Sequence, residues 1–205
     1  MVFTTGSPLG APRDRGSLRT HMDDTYRLFA ALVEIEGLDR IPRIGYAARG
    51  VDHPESVAEH SFHVALLVWA LGRSEPIDLE RALAMALVHD LAEGRTGDLP
   101  RTVAGHLPPG VKHALESSVM RELFGADHDA VALFEEYVVG DSAEARFVHA
   151  CDRLQLLLKA HLYQRWGTGD LDELFEHPSE PPAPFASIAR LEAKLHEVRA
   201  ARARS

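Results

Sequence analysis

His60, His89, Asp90 and Asp152 are the side chains in this sequence best suited to hold a metal ion, and Glu93 is spaced to serve the chemistry such an ion promotes. Each lies on or beside an apolar face that a helix would turn toward a core. Along Leu83 to Glu93, with Leu83 at zero and about 100° per residue, Leu79, Ala86, Leu87 and Leu91 form one stripe with Asp90 inside it. A carboxylate buried there alone costs several kcal/mol, so a cation, a hydrogen-bond network or a metal must accompany it. His89 is its neighbour, about 100° around the helix, and one ion held between them could take both. His60 shares a face with Val57, Val64, Leu67, Val68 and Leu71. Asp152 lies between two apolar sides of a further helix, one of Phe147, Cys151, Leu154, Leu158 and Leu162, the other of Ala145, Val148, Leu156 and Ala160. Two imidazoles and two carboxylates suit Co, Mn, Mg, Zn, Ni or Fe rather than a thiolate-seeking ion. On an octahedral ion such a set leaves two positions for water and a phosphoryl oxygen, the arrangement of metal-assisted hydrolysis. Glu93, one turn beyond His89, either orients and deprotonates that water or ends its helix in a salt bridge.

The elements that must position these groups are helical throughout. Residues 1–21, rich in Gly, Pro, Ser, Thr and Arg, read as a flexible leader, with the compact part over residues 22–200. Tyr26, Leu28, Phe29, Leu32 and Val33 recur at helical spacing over Asp23–Glu36, closed by Gly37. A connector broken by Pro42, Gly45 and Gly50 leads to Ser56-Val57-Ala58-Glu59, a capping box that opens a helix over Val57–Leu71. Further helices are expected over Asp78–Glu93, stopped by Gly94, and over Val111–Phe124, Asp129–Val138, Ala143–Arg165 and Ile188–Ala200. Asp141 or Ser142 caps the helix that carries Asp152. Gly167–Pro184 reads as a loop, and residues 201–205 as a frayed tail. No repeat or strand-like alternation appears, so the expected class is all-α, one helical bundle with its metal-site core over about residues 40–165. His106, His113 and His128 sit on no clean apolar stripe and read as solvated, and His149 precedes Asp152 by one turn.

Composition narrows the function classes. The 205 residues suit one domain with a substantial core. A net charge of −9 and a pI near 5.7 argue against polymeric nucleic acid or an anionic membrane as partner, because both demand a basic surface. One cysteine, Cys151, excludes a disulfide framework and a multi-thiolate zinc site and fits a reducing cytoplasm. The first twenty residues hold no apolar run of signal-peptide length, and no stretch reaches the length of a membrane span.

Residues 54–67 (PESVAEHSFHVALL), 86–100 (ALVHDLAEGRTGDLP) and 134–160 (FEEYVVGDSAEARFVHACDRLQLLLKA) resemble the HD-domain phosphohydrolases and, within them, the 5′-deoxynucleotidase group. The likeness covers roughly Arg40 to Ala160. It implies an all-helical HD fold, one divalent ion per chain, a homodimer, and hydrolysis of 2′-deoxynucleoside 5′-monophosphates to deoxynucleoside and phosphate. By position it makes His60, His89, Asp90 and Asp152 the metal ligands, Glu93 the residue that handles the water and Asp98 the one that contacts the sugar. In some members that acidic pair holds a second, weaker ion. Tyr137 falls in a segment near the substrate. The chain departs from the pattern upstream. Where members carry Arg-Trp-Pro or Pro-Arg-Thr-Gly-Trp, it has Arg40-Ile41-Pro42 and Pro42-Arg43-Ile44-Gly45-Tyr46, with no tryptophan. Tyr46 is then either a stacking surface for sugar or base or a packing aromatic, and Arg40, Arg43 and Arg49 are the candidates for the phosphate. Two other readings stay open: a phosphohydrolase of another nucleotide or small phosphate ester, and a non-catalytic nucleotide-binding HD protein.

Overall fold

Apolar residues at helical spacing, punctuated by caps and glycines, build the chain from helices stacked around the segment that carries His60. In the computed structural model, residues 15–176 and 184–202 are described. The helices are α1 (Arg15–Ile35), α2 (Ile44–Ala47), α3 (Val57–Gly72), α4 (Leu79–Val88), α5 (Glu93–Thr96), α6 (Arg101–Ala104), α7 (Val111–Phe124), α8 (Asp129–Val139), α9 (Ala143–Trp166), α10 (Glu173–Glu176) and α11 (Ala186–Arg202), with a 3-10 turn at Glu36–Arg40. The described residues include no strand, and a lone bridge joins Pro42 to Ser56. None of the described helices is long and apolar enough to cross a membrane.

α3 begins as its capping box dictates. The Ser56 hydroxyl accepts from the Glu59 N–H while the Glu59 carboxylate accepts from the Ser56 N–H. Ser142 rather than Asp141 caps α9, and Asp78 caps α4. These starts set the rotation of each helix, and the main core follows. Val64 and Val68 of α3, Met85 and Ala86 of α4, Phe147 and Leu154 of α9, and Ile188 of α11 are buried together. Full burial of side chains of this size is worth about 1.5–3 kcal/mol each. A Cβ at Gly72, the last residue of α3, would come within 2.7 Å of the Leu79 Cδ1 methyl, which would have to shift to make room. A second cluster packs α7 and α8 under Ala31 and Ala92, and a third gathers Tyr46, Val51, Ala160, Tyr163 and Leu171.

Several expectations are corrected. The helix expected over Asp78–Glu93 ends at Val88. His89 turns its ring back so that Nδ1–H donates to Ala86 O at 2.8 Å, the carbonyl the Asp90 N–H would otherwise use, and the chain continues in i→i+3 turns to the separate α5. Gly97 at φ 72°, not Gly94, closes α5, and Leu87, placed by the wheel on the core stripe, is exposed. α1 starts at Arg15, inside the expected leader, and while Ala31 is buried, Tyr26, Leu28, Phe29, Leu32 and Val33 are all exposed. α11 continues to Arg202, into the expected tail, and the expected loop after Gly167 holds α10. The leader over residues 1–14, the loop over 177–183 and the tail over 203–205 lie outside the described residues.

Candidate active site

Two helices and one turn bring the predicted ligands together. α3 supplies His60, the turn after α4 supplies His89 and Asp90, and α9 supplies Asp152. His60 Nε2 lies 3.2 Å from Asp152 Oδ1 and 3.6 Å from Asp90 Oδ2, and His89 Nε2 lies 3.3 Å from the same Asp90 oxygen. One donor atom from each of His60, His89 and Asp90 falls within 4.8 Å of the others. Both imidazole Nε2 atoms are buried and have no hydrogen-bond partner, as does Glu93 Oε2. The ring of His89 is oriented from behind by Ala86 O, which can only accept, so Nδ1 carries the proton and the lone pair of the neutral ring points into the cluster. Two such nitrogens facing two carboxylates is the donor set a divalent cation takes.

The electrostatics follow from that crowding. Burial acts to raise Asp90, but His89, Arg43 and His60 more than offset it and hold its carboxyl well below the usual range. Asp152 is likewise held low against burial, by His60, His89 and Arg43. Burial, with the like charge of Asp90, pushes Glu93 up to about 10. Arg43 is the cation of the site. Its Nη1 is 2.9 Å from Asp98 Oδ1, 3.4 Å from Asp90 Oδ2 and 3.8 Å from Glu93 Oε2. Asp98 holds it there, accepting from the guanidinium with one oxygen and from the Ile44 N–H with the other at 2.6 Å. The positive charge between Glu93 and Asp98 is therefore that of Arg43.

Arg43, His89, Asp90, Glu93, Asp98 and Asp152 line a cavity of about 1080 Å³, large enough for a mononucleotide. Arg49 reaches its wall, donating to Gly45 O and pairing with Glu173 at 3.2 Å. Tyr137 also lines it; its hydroxyl donates to Asp152 Oδ2 at 3.3 Å and its ring meets His89 edge-on and stacks on His149. Two candidates are corrected. Arg40 points to solvent, 89% exposed beside Asp39. Tyr46, although it borders the cavity, is only 3% exposed, packs edge-on against Tyr163 and donates its hydroxyl to Leu156 O, so it is a packing aromatic. His113 pairs with Glu135, and His128 caps α8.

Sequence reasoning missed other residues. Lys112 and Glu116, one turn apart on α7, form an ion pair of 3.0 Å in the cavity wall; burial raises Glu116 in spite of that pair. Their i,i+4 spacing is a signal, but one common on any solvated helix. Glu55, Gln155 and Lys159 form a buried network behind His60.

The sequence model of the HD domain family matches residues 35–177, which hold all of these groups. The chain belongs to the HD domain family. It is 34% identical over 132 residues to the human 5′-deoxynucleotidase HDDC2, covering 62% of this chain and 63% of that one. It thus spans just under two thirds of the length of that curated relative. It is 30% identical over 158 residues to the 5′-deoxynucleotidase hdd1 of Schizosaccharomyces pombe, covering 69% of this chain and 78% of that one. Among solved structures, the PH0347 protein of Pyrococcus horikoshii OT3 superposes with a TM-score of 0.70 at 34% identity, over 83% of this chain and 97% of that one.

Proposed function

We propose that this HD-family chain is a metal-dependent 5′-deoxynucleotidase that converts 2′-deoxynucleoside 5′-monophosphates to deoxynucleosides and phosphate. The observation that carries the reading is the pair of partnerless Nε2 atoms of His60 and His89 facing Asp90 and Asp152, of which His89 and both aspartates line a nucleotide-sized cavity. Its relatives of that name support the substrate class.

His60, His89, Asp90 and Asp152 would hold one ion per chain, with Arg43 taking the place of a second between Glu93 and Asp98. A divalent cation held there would polarise a phosphoryl oxygen, acidify the attacking water and offset the Asp90 charge that adds to burial in raising Glu93. Glu93 aims its free Oε2 into the same space and takes the water proton at that atom. Arg43, already desolvated, turns a guanidinium N–H toward the phosphate, and Arg49 stands on the wall beyond it. Asp98 positions Arg43 and borders the sugar. Tyr137 fixes Asp152 and closes one side.

Chelator-stripped protein refilled separately with Co, Mn, Mg and Zn, assayed for phosphate release from matched deoxy- and ribonucleoside 5′-monophosphates, tests the reading. Metal-dependent release confined to the deoxy series is expected. Equal release from both series would overturn the deoxynucleotide assignment and favour a phosphohydrolase of another small ester, a reading that the burial of Tyr46 supports because no aromatic of the connector is free to stack. No release from either series with metal bound would leave a nucleotide-binding role.

We further propose a cytoplasmic homodimer. Phe62, Leu66 and Trp69, exposed at i, i+4 and i+7 on the outer face of α3, form the kind of stripe a second copy covers.

A further inference from the structure

Glu55 is a carboxylate where a carboxylate is costly. It immediately precedes the α3 cap and is 3% exposed. Its burial is compensated on every side: Lys159 Nζ lies 3.0 Å from Oε2, and the Gln155 side-chain amide donates to Oε1 at 3.0 Å and to Oε2 at 2.9 Å. Its backbone is tied as well, the N–H donating to the Tyr163 hydroxyl and the carbonyl accepting from the Arg43 N–H at 2.9 Å. On the other end of Gln155, the amide oxygen lies 2.8 Å from His60 Nδ1.

We propose that Glu55 is a positioning residue for His60, acting through Gln155 to decide which imidazole nitrogen faces the cluster. Both Glu55 oxygens accept, and a carboxylate cannot donate. Gln155 must therefore turn its NH2 toward Glu55 and its oxygen toward His60. That oxygen can only accept, so His60 Nδ1 carries the hydrogen, and in the neutral ring it is Nε2 that keeps the lone pair pointing at Asp90 and Asp152. Lys159 supplies the counter-charge a buried carboxylate requires. The two histidines thus reach the same tautomer by different means. For His89 the acceptor is the backbone carbonyl of Ala86, which no side-chain change removes, whereas for His60 it is a side chain whose polarity is set one residue further back. Groups behind a ligand histidine that fix its ring and tautomer commonly contribute about 10–100-fold in metal affinity. The assignment of metal binding to His60 rests on the proposed function; the tautomer does not.

The experiment uses full-length wild type, Glu55→Gln and the exchanged pair Glu55→Gln with Gln155→Glu, each checked by thermal unfolding. Nitrogen-15 NMR of the imidazoles in metal-stripped protein reads the tautomers directly, and titration with Co(II), followed by its visible absorption, reads affinity. In Glu55→Gln two amides face each other with no fixed polarity. His60 should then lose its single Nδ1–H form and Co(II) affinity should fall about 10–100-fold, while the His89 signals stay in place. In the exchanged pair, the amide now at position 55 donates to the carboxylate now at position 155, and that carboxylate accepts from His60, so tautomer and affinity should both recover. Retention of the His60 tautomer and of affinity in Glu55→Gln, or failure of the exchange to restore them in a folded protein, would overturn the proposal. Wild type that binds no Co(II) would defeat the metal reading alone, since the NMR arm still decides what Glu55 does.

Discussion

Replacement of Arg43 by methionine removes the one positive side chain shared by three carboxyls while keeping most of its apolar stem. The guanidinium is 16% exposed and sits 2.9, 3.4 and 3.8 Å from Asp98, Asp90 and Glu93. At an effective dielectric of 20, attractions over such distances are each worth about 4–6 kcal/mol before desolvation is subtracted. Measured losses on removing one member of a buried ion pair are about 3–5 kcal/mol, because the partner stays buried without compensation. Glu93 is held largely protonated and Asp90 keeps His60 and His89 beside it, so the lower end applies, about 3 kcal/mol. For a chain of this size that is a fall of about 6–12 °C in unfolding midpoint. The assay is thermal unfolding by circular dichroism, with chelator-stripped protein and again with saturating Co(II). A bound cation restores positive charge among the same carboxylates, so the gap between variant and wild type should shrink on metal loading. A metal-free variant that melts within about 2 °C of wild type, or a gap that metal leaves unchanged, would refute the idea that Arg43 compensates this charge.

Asp152→Ala should abolish activity and lower metal affinity by more than the roughly 10–100-fold cost of changing a group behind a ligand, with the fold kept, since the side chain is 30% exposed and receives a single weak bond from Tyr137; full metal content by equilibrium dialysis would contradict the ligand assignment. Tyr46→Phe deletes the bond to Leu156 O and should cost about 1 kcal/mol of stability without altering KM for deoxynucleotides, whereas a raised KM at unchanged stability would return Tyr46 to the substrate. The Glu34 carboxyl, lowered by its hydrogen bonds to Arg95, joins α1 to α5. A depressed acid contributes stability that is fully present above its unfolded value of 4.5 and is lost as pH falls through the folded one. Glu34→Gln should therefore lower the midpoint at neutral pH and flatten its decline below about pH 5, by a modest amount, about 0.5 kcal/mol, because the pair is a third exposed.

How far a site can be read before its structure is known depends on whether helical phase can be carried to each residue. Ser56 and Glu59 fix the start of α3, so a constant rotation places His60 with Val57, Val64 and Val68, and all four are buried. Asp152 is legible in the same way from Ser142. Within α4 the buried residues are Ala82, Met85 and Ala86, so a wheel centred on Leu83 misplaces Leu87, and phase fails altogether after Val88, where the His89 ring takes the Ala86 carbonyl; yet the residue types and order of His89, Asp90 and Glu93 still mark the site. The connector from Leu38 to Pro54 has no period, and three arginines there are equivalent on paper. The choice of Arg43 is made by Asp98, 55 residues away, which grips both its guanidinium and the next N–H. Glu55 is hidden for the same reason, since the partner that gives it meaning, Gln155, is 100 residues off. α1 shows the remaining limit. Periodic apolar residues say that a face must be covered but not by what, and Tyr26, Phe29 and Val33 stand exposed on a helix whose spacing alone points them inward. Burial is a property of the neighbour as much as of the helix, and only the packed chain names the neighbour.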